Sequence, residues 1–586
     1  MSLLADLSTR FGDAFASQGL DRADGAVVPS QRPELAQYQC NGALAAAKAA
    51  ERNPRDIAET IVAEVADPAV IAELSVAGPG FINITVTDEF LANHVQAMEA
   101  DTRLAVPLPD PPDRVLVDYG GPNMSKSMHV GHLRASIIGE SLKRLFRFLG
   151  HDTAGDIHIG DWGMPVGQLI IEMERRQPEL AYFDPDSSGP YPDESPVTLD
   201  ELSEMYPVVV ARTTDDPEEA ERARQATLEL QNGRPGYVAL WSHFRRVSED
   251  EQKRDFDALG VEFDLWRGES TVADRLAPLV GRLLDGVAEE SQGALIVDVA
   301  EVDDKKEMPP LLLTRSDGSY LYSTTDLATL DQRMDDGFNV VLYVVDARQG
   351  LHFEQVFRAA RRGGVVPPDV VLEHIAFGTV NGPDGKPFKT REGGVLRLQD
   401  LIAMVADAAR KRLDEAEIAQ DYPEQERSQI ARQVGLGALK FGDLSNHRTS
   451  NYVFDLDRFT SFEGKTGPYV QYGAVRIKSI LRKAAERELS AGPIVPPSAP
   501  QERDLMLRLA RLPEVLQRTA DLRAPNTMAE YAYEVVTDFN RFYEVCHILR
   551  EPDPVRQASW LGLVDLTLRV LILLLDLLGI DVPERM

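Results

Sequence analysis

The chain has 586 residues, of which 43% are apolar and 27% charged, and a formal net charge of −32. That length asks for roughly three to four well-packed domains, and its two cysteines, Cys40 and Cys546, exclude a disulfide framework or a cysteine-rich zinc site. The acidity argues against a broad basic footprint for nucleic acid and confines any such contact to a local, salt-sensitive surface.

The opening stretch, 1–20, carries acidic residues early and has no cationic segment before a long apolar core. It reads as an amphipathic helix rather than a signal peptide. A second helical stretch is expected over 41–66, and 81–86 alternates as a half-buried strand. The proline-rich stretch 107–113 closes this first small α/β domain as a stiff boundary.

At 114 a strand begins with Val115, Leu116 and Val117. A turn with Gly120, Gly121, Pro122 and Asn123 follows, and His129-Val130-Gly131-His132 then opens a helix. Its residues Leu133, Ile137, Ile138, Leu142, Leu145, Phe146 and Leu149 make one apolar stripe, and Gly150 stands where a helix C′ glycine belongs. A second strand is expected near 156–159, leading into Gly160-Asp161-Trp162-Gly163. This alternation of strand and helix signals a parallel sheet. It stops after Gln168, where an acidic, proline-rich loop over 183–207 and long polar helices read as an insertion of about 170–290. Strand signals resume at 294–299, 311–314, 340–345 and 369–377. Beyond about 400 the pattern is helical. The most apolar stretch, 560–580, is interrupted by Asp565, Arg569 and Asp576, which argues against a membrane span and for the cytoplasm.

A strand, a tight turn and a helix mouth with two histidines suit phosphate chemistry. The helix N-terminus offers unpaired N–H groups and a positive dipole. His129 and His132 can donate to phosphoryl oxygens, Gly131 leaves room for a flat base, and Lys126 adds a mobile charge. The run Asp-Tyr-Gly-Gly-Pro-Asn-Met-Ser-Lys-Ser-Met-His-Val-Gly-His-Leu-Arg, 118–134, resembles the HIGH signature of class I aminoacyl-tRNA synthetases. Its surrounding wording resembles the arginyl-tRNA synthetase family, and the likeness covers nearly the whole chain in order.

That resemblance implies an α/β fold with a Rossmann-like parallel-sheet catalytic core over 114–400. It further implies an N-terminal domain over 1–105 that touches the tRNA elbow, a helical junction over 401–450 and an all-α helical bundle over 451–586 that binds the anticodon. Residues 467–476 resemble the start of that bundle, with Gly473-Ala474-Val475-Arg476 a degenerate DALR-type tetrapeptide. Tyr469, Tyr472 and Arg476 are its candidate tRNA contacts, the tyrosines by stacking on unpaired bases. The loop Gly-Pro-Asp-Gly-Lys-Pro-Phe-Lys-Thr-Arg, 382–391, resembles the KMSKS loop, although Pro387, Phe388 and Thr390 depart from it. Lys386 and Lys389 would then join His129, Gly131 and His132 around ATP. Lys126 occupies the position from which a lysine compensates for a degenerate loop, so the implied catalytic set is His129, His132, Lys126 and Lys389.

The stretch 321–328 resembles the family's arginine-specificity helix. Tyr322 and Asp326 are i and i+4 and share a helix face. A carboxylate with a hydroxyl suits the planar, forked guanidinium. Asp118, Asn123, His129 and Gln349 complete the implied arginine-binding set. The implied reaction activates L-arginine with ATP to arginyl-adenylate and then transfers arginine to the terminal ribose of its tRNA. Magnesium accompanies the nucleotide, with no zinc or other protein-held metal. The resemblance further implies a monomer, no membrane partner, no editing domain, and arginine activation that needs bound tRNA. Two rivals stay open: a paralogue that adenylates arginine for a non-tRNA acceptor, and a non-catalytic tRNA-binding relative.

Overall fold

The structure is a computed structural model, and it describes residues 2–30, 32, 35–382, 385 and 396–586. The chain divides into two compact units: Met1–Asp110 with Asp414–Phe441 and Thr460–Met586, and Pro111–Leu413 with Gly442–Phe459.

The second unit is built on four parallel strands in the order Val371–His374, Val340–Tyr343, Arg114–Asp118, Asp152–Asp156. Val115, Leu116, Val117, Val341 and Leu342 are wholly buried, as strands covered on both faces require. The registers set His374, Tyr343, Asp118 and Asp156 in one row across the carboxyl ends. From Arg114–Asp118 the chain runs through the helix Val130–Leu149 to one neighbouring strand, and the later half supplies the other. Strand order therefore reverses between Asp118 and Tyr343, the switch point where ligands of open α/β sheets collect.

Several sequence expectations change here. The second strand is Asp152–Asp156, not 156–159, because its register begins at Arg114↔Asp152. Residues beyond 156 leave the sheet to bond elsewhere: Ile157 N–H reaches Leu265 O (3.2 Å) and Ile159 N–H reaches Arg267 O (2.8 Å). The segments Ala294–Val297 and Leu311–Thr314 are strands, but with Ala288–Ser291 they form a separate three-stranded antiparallel sheet. Alternation identifies a strand and does not name its partner. The insertion loop ends at Thr198, which shares a capping box with Glu201 and starts the helix Leu199–Asp215, with Pro207 inside it. Helices Pro217–Gln231 and Pro235–Leu259 follow.

In the first unit, an antiparallel sheet runs Val27–Pro29, Tyr38–Cys40, Phe81–Val86, Ile71–Ala77. The stretch expected helical over 41–66 is two helices, Gly42–Ala50 and Pro54–Val65, the second capped by the Asn53 side chain. Arg503 donates to Val86 O (2.8 Å) and Arg569 to Asp101 O (2.7 Å), tying the sheet domain to the C-terminal helices within one unit. The helix Pro554–Leu577 is long and apolar enough to cross a membrane by length and composition, and 67% of its most apolar window is buried inside this unit. Residues 401–450 do not form a junction of their own. Tyr452–Val453 pairs with Val380–Asn381, so 442–459 belongs with the catalytic unit while 414–441 belongs with the other.

Candidate active site

His129 is the N-cap of the helix Val130–Leu149 and His132 its third residue. His129 Nδ1 accepts from the Gly131 N–H (3.0 Å), and His132 Nδ1 accepts from the His129 N–H (3.1 Å). The two rings make a reciprocal cap, with centroids 4.1 Å apart. A neutral imidazole that accepts at Nδ1 carries its proton on Nε2. Burial, and then the Lys126 charge, hold His129 below the ordinary histidine value. Burial and the neighbouring His129 bring His132 down to about 3. Both rings are therefore neutral Nε2–H donors near neutral pH.

This arrangement corrects the picture of an open helix N-terminus. The Gly131 N–H is taken by His129, the Val130 N–H by Leu396 O (3.0 Å) and the His132 N–H by His129 O (2.8 Å). The donors left for phosphate are the ring N–H groups. A Cβ at Gly131 would come within 2.7 Å of the His129 ring, so this glycine makes room for the cap.

Lys126 follows Ser125, whose φ of +67° is held by bonds from its N–H to Ser248 Oγ (2.9 Å) and from Ser203 Oγ to its carbonyl (3.4 Å). The Lys126 ammonium lies 4.6 Å from the Tyr206 ring centroid. Lys386 and Lys389 lie outside the described residues. The chain on either side of them is bonded to the histidine-bearing helix. On one side Leu398 N–H reaches Met128 O (3.0 Å), beside the Val130–Leu396 bond. On the other, Arg134, 2% exposed, pairs with Asp443 (3.1 Å) and donates to Gly378 O and Ser450 O (2.9 Å each).

The second half of the site lies around the helix Tyr322–Asp335. Asp326 Oδ2 pairs with His352 Nε2 at 2.6 Å, and the Tyr322 ring packs 4.7 Å from the His352 ring while staying 61% exposed. Glu269, on the short helix Glu269–Val272, is tethered by its N–H to Ile159 O (3.1 Å). Burial, then the charges of Asp326 and Asp161, push its carboxyl up to about 8. Asp161 is itself held by Ser270 Oγ (2.7 Å) and Arg245 (2.9 Å). A buried carboxyl whose ionisation neighbouring carboxylates oppose marks a place where positive charge is missing.

Asp118 is largely neutralised from within. The wholly buried Arg333 donates from Nη2 to Asp118 (2.5 Å) and Asp156 (2.9 Å), with its guanidinium 5.0 Å from the Tyr343 ring centroid. Burial pushes the Tyr343 hydroxyl up, Arg333 pulls it back, and the charges of Asp118 and Asp326 both reach it. The sheet end and the helix Tyr322–Asp335 therefore share one neighbourhood. Asn123 bridges to Gly160, so the turn before Lys126 adjoins the segment that tethers Glu269. Gln349 is exposed and closes the single-turn helix Ala347–Gln349 after the strand Val340–Tyr343. Glu269 and His352 were missed at the sequence level. His352 stands three residues past Gln349, within reach of a motif reading, whereas nothing around Glu269 marks it.

In the first unit, Tyr469 accepts from Asn540 (3.1 Å), and Arg476 donates to the same Asn540 (3.2 Å) and lies over Tyr543 at 4.6 Å. Tyr472 is 42% exposed, with its ring 6.2 Å from that of Phe462 in an edge contact.

Comparison with known proteins agrees along the whole chain. A family model described as "tRNA synthetases class I (R), catalytic domain" matches residues 94–456. "DALR anticodon binding domain" matches 470–586, and "Arginyl tRNA synthetase N terminal domain" matches 4–86. Fold, site and matches together define a class I aminoacyl-tRNA synthetase. Relatives named arginine–tRNA ligase are 49% identical over 592 residues in Maricaulis maris and 47% over 587 in Alkaliphilus oremlandii, each covering 100% of both chains. The structure of arginyl-tRNA synthetase from Plasmodium falciparum superposes with a TM-score of 0.81 at 25% identity, covering 100% of this chain and 99% of that one. The chain belongs to the arginyl-tRNA synthetase family, whose members use ATP to join arginine to its tRNA. It is accordingly an ATP-dependent ligase forming an aminoacyl-tRNA ester.

Proposed function

We propose the following division of labour for arginine–tRNA ligation. Asp326 and Glu269 take the guanidinium of L-arginine, with Tyr322 orienting it and His352 orienting Asp326. Asp118, Asn123 and Gln349 face the α-groups. The Nε2–H groups of His129 and His132, with Lys126, Lys386 and Lys389, surround the triphosphate of ATP. The arginine carboxylate then attacks the α-phosphorus, and pyrophosphate leaves as the mixed anhydride forms. Positioning and charge stabilisation carry such a step, so neutral donors and lysines suffice and no protein nucleophile is needed. A terminal ribose hydroxyl of tRNA next attacks the acyl carbon and AMP leaves.

Tyr469, Tyr472 and Arg476 meet the anticodon arm, residues 1–105 meet the tRNA elbow, and activation waits for bound tRNA. The enzyme acts as a cytoplasmic monomer. Magnesium would arrive on the phosphates. Among the described residues, the group close enough for a metal is Asp118, Asp156 and His158. Arg333 already bonds both of its carboxylates, so the group does not fit that ion and no step passes through it.

The observation that carries this reading is Glu269, whose carboxyl is pushed up to about 8 by burial and by the charges of Asp326 and Asp161, a place that lacks positive charge. Citrulline tests it, since it matches arginine in shape but lacks the charge. Pyrophosphate exchange with tRNA present should favour arginine over citrulline by about 10⁴ or more. Asp326→Asn should cut arginine kcat/KM by at least about a hundredfold and leave the ATP KM unchanged. Equal use of the two substrates would contradict the assignment.

A further inference from the structure

The helix Pro235–Leu259 of the insertion carries Trp241, Arg245, Ser248, Gln252 and Asp255 at alternating spacings of four and three residues. Those spacings put the five side chains on one face of the helix. A buried face is ordinarily apolar, yet Ser248, Gln252 and Asp255 are 1%, 1% and 2% exposed. Buried polar groups cost stability unless each is bonded, and apolar residues would fill the same space. Here Gln252 even leaves its Oε1 without a hydrogen-bond partner. Packing alone does not account for this stripe.

Its bonds end on the segments that carry candidate site residues. At one end, Trp241 Nε1 donates to Asp161 O (2.9 Å), and Arg245 reaches the Asp161 carboxylate and Ser270 Oγ (2.9 Å each). Ser270 follows Glu269 on the short helix Glu269–Val272, and its N–H also goes to Asp161 (2.9 Å). In the middle, Ser248 Oγ accepts from the Ser125 N–H (2.9 Å) and Gln252 donates to Asn123 O (3.2 Å), which holds the turn before Lys126. At the other end, Asp255 accepts from Gln399 Nε2 (2.7 Å). Leu396 and Leu398, beside Gln399, bond to Val130 and Met128 on the two sides of His129. From Arg245 to Asp255 the helix rises about 15 Å as one rod.

We propose that this helix positions the active site as one piece: Arg245 sets Glu269, Gln252 sets the turn of Asn123 and Lys126, and Asp255 sets the mouth formed by His129 and His132. All three are positioning residues that act through others. This rests on the division of labour above, with Glu269 on the guanidinium and the histidines on the triphosphate. A rod joined to both ends fixes the distance between guanidinium and α-phosphorus and so aligns the arginine carboxylate for attack.

Pyrophosphate exchange with tRNA present tests this through the KM of each substrate. Arg245→Met should raise the arginine KM at least about tenfold and leave the ATP KM within about twofold. Asp255→Leu should do the reverse. Gln252→Met should lower kcat about tenfold while neither KM moves more than about threefold, because the turn it holds aligns the two reactants. Arg245→Lys keeps the charge and Asp255→Asn keeps an acceptor, so both should stay within about threefold of wild type. Ser270→Ala and Gln399→Ala break the same bonds from the less buried side. Should a helix variant fail to fold, these two still give the split, at about threefold. A structural role alone would lower kcat in step with the folded fraction and leave every KM unchanged. That result, or equal changes in both KM values at either end, overturns the proposal. Asp326→Asn separates the two readings. If it leaves the arginine KM unchanged, the pocket assignment fails and takes this proposal with it. If it raises that KM while Arg245→Met and Ser270→Ala do not, this proposal fails alone.

Discussion

At the scale of single residues, charge placement makes the sharpest demands. Glu269 is protonated in the free enzyme at pH 7, because burial and two neighbouring carboxylates raise it to about 8. A bound guanidinium favours the ionised form. Arginine binding at pH 7 should therefore release a proton, measurable by titration calorimetry in buffers of different ionisation enthalpy. The arginine KM should fall as pH rises from about 7 to 8.5, and Glu269→Gln should flatten that profile. The sign for stability is opposite. A raised carboxyl stabilises the fold below its ordinary value and loses that contribution as pH rises through about 8, so arginine should protect most against heat above pH 8. His352→Asn should lose about tenfold in arginine kcat/KM, less than Asp326→Asn, since it removes the partner that orients the carboxylate rather than the carboxylate itself. Tyr322 and Asp326 were candidates because the stretch 321–328 resembles the family's specificity helix and places them one turn apart. Glu269 and His352 were not, because they reach the same point from elements remote in sequence, and only tertiary structure brings the carboxyls into opposition.

At the scale of elements, the helix Val130–Leu149 joins two roles in one pair of side chains. Its histidines cap the helix and, in the proposed division of labour, donate to the triphosphate as neutral Nε2–H groups. Substitution can separate these roles. Asparagine is among the best N-cap residues, so His129→Asn should leave the melting temperature unchanged while exchange falls about a hundred- to a thousandfold. A matching loss of stability would mean that the cap is its main purpose. Further along, Asp443→Asn would strand the buried Arg134 guanidinium and should cost the catalytic unit about 3–5 kcal/mol in denaturant unfolding. The helix, its stripe and its terminal Gly150 were all legible from periodicity and capping chemistry. The Arg134–Asp443 pair was not, since nothing local announces that residues 442–459 return to the sheet-bearing unit. Likewise 294–297 and 311–314 announced themselves as strands but not as a separate antiparallel sheet, because pairing is a long-range property.

For the whole molecule, the order of parts was readable because each carries its own run of motif residues, from the N-terminal domain to the degenerate DALR tetrapeptide. The division into units was not, because it depends on arginines such as Arg503 and Arg569 finding distant carbonyls. The net charge of −32 sets a further condition. Contact with tRNA must be local and electrostatic, so its dissociation constant should rise at least about tenfold between roughly 50 and 200 mM salt. If Asp326 and Glu269, both only partly exposed, set the arginine KM, it should move less than about twofold. The central claim is that this site adenylates arginine and does so under the control of tRNA. Arginine-dependent ATP–pyrophosphate exchange, run with and without tRNA specific for arginine, tests it most directly. Exchange that appears only with tRNA is the predicted result. Exchange without tRNA would contradict the control, and no exchange in either condition from folded protein would contradict the catalytic site itself.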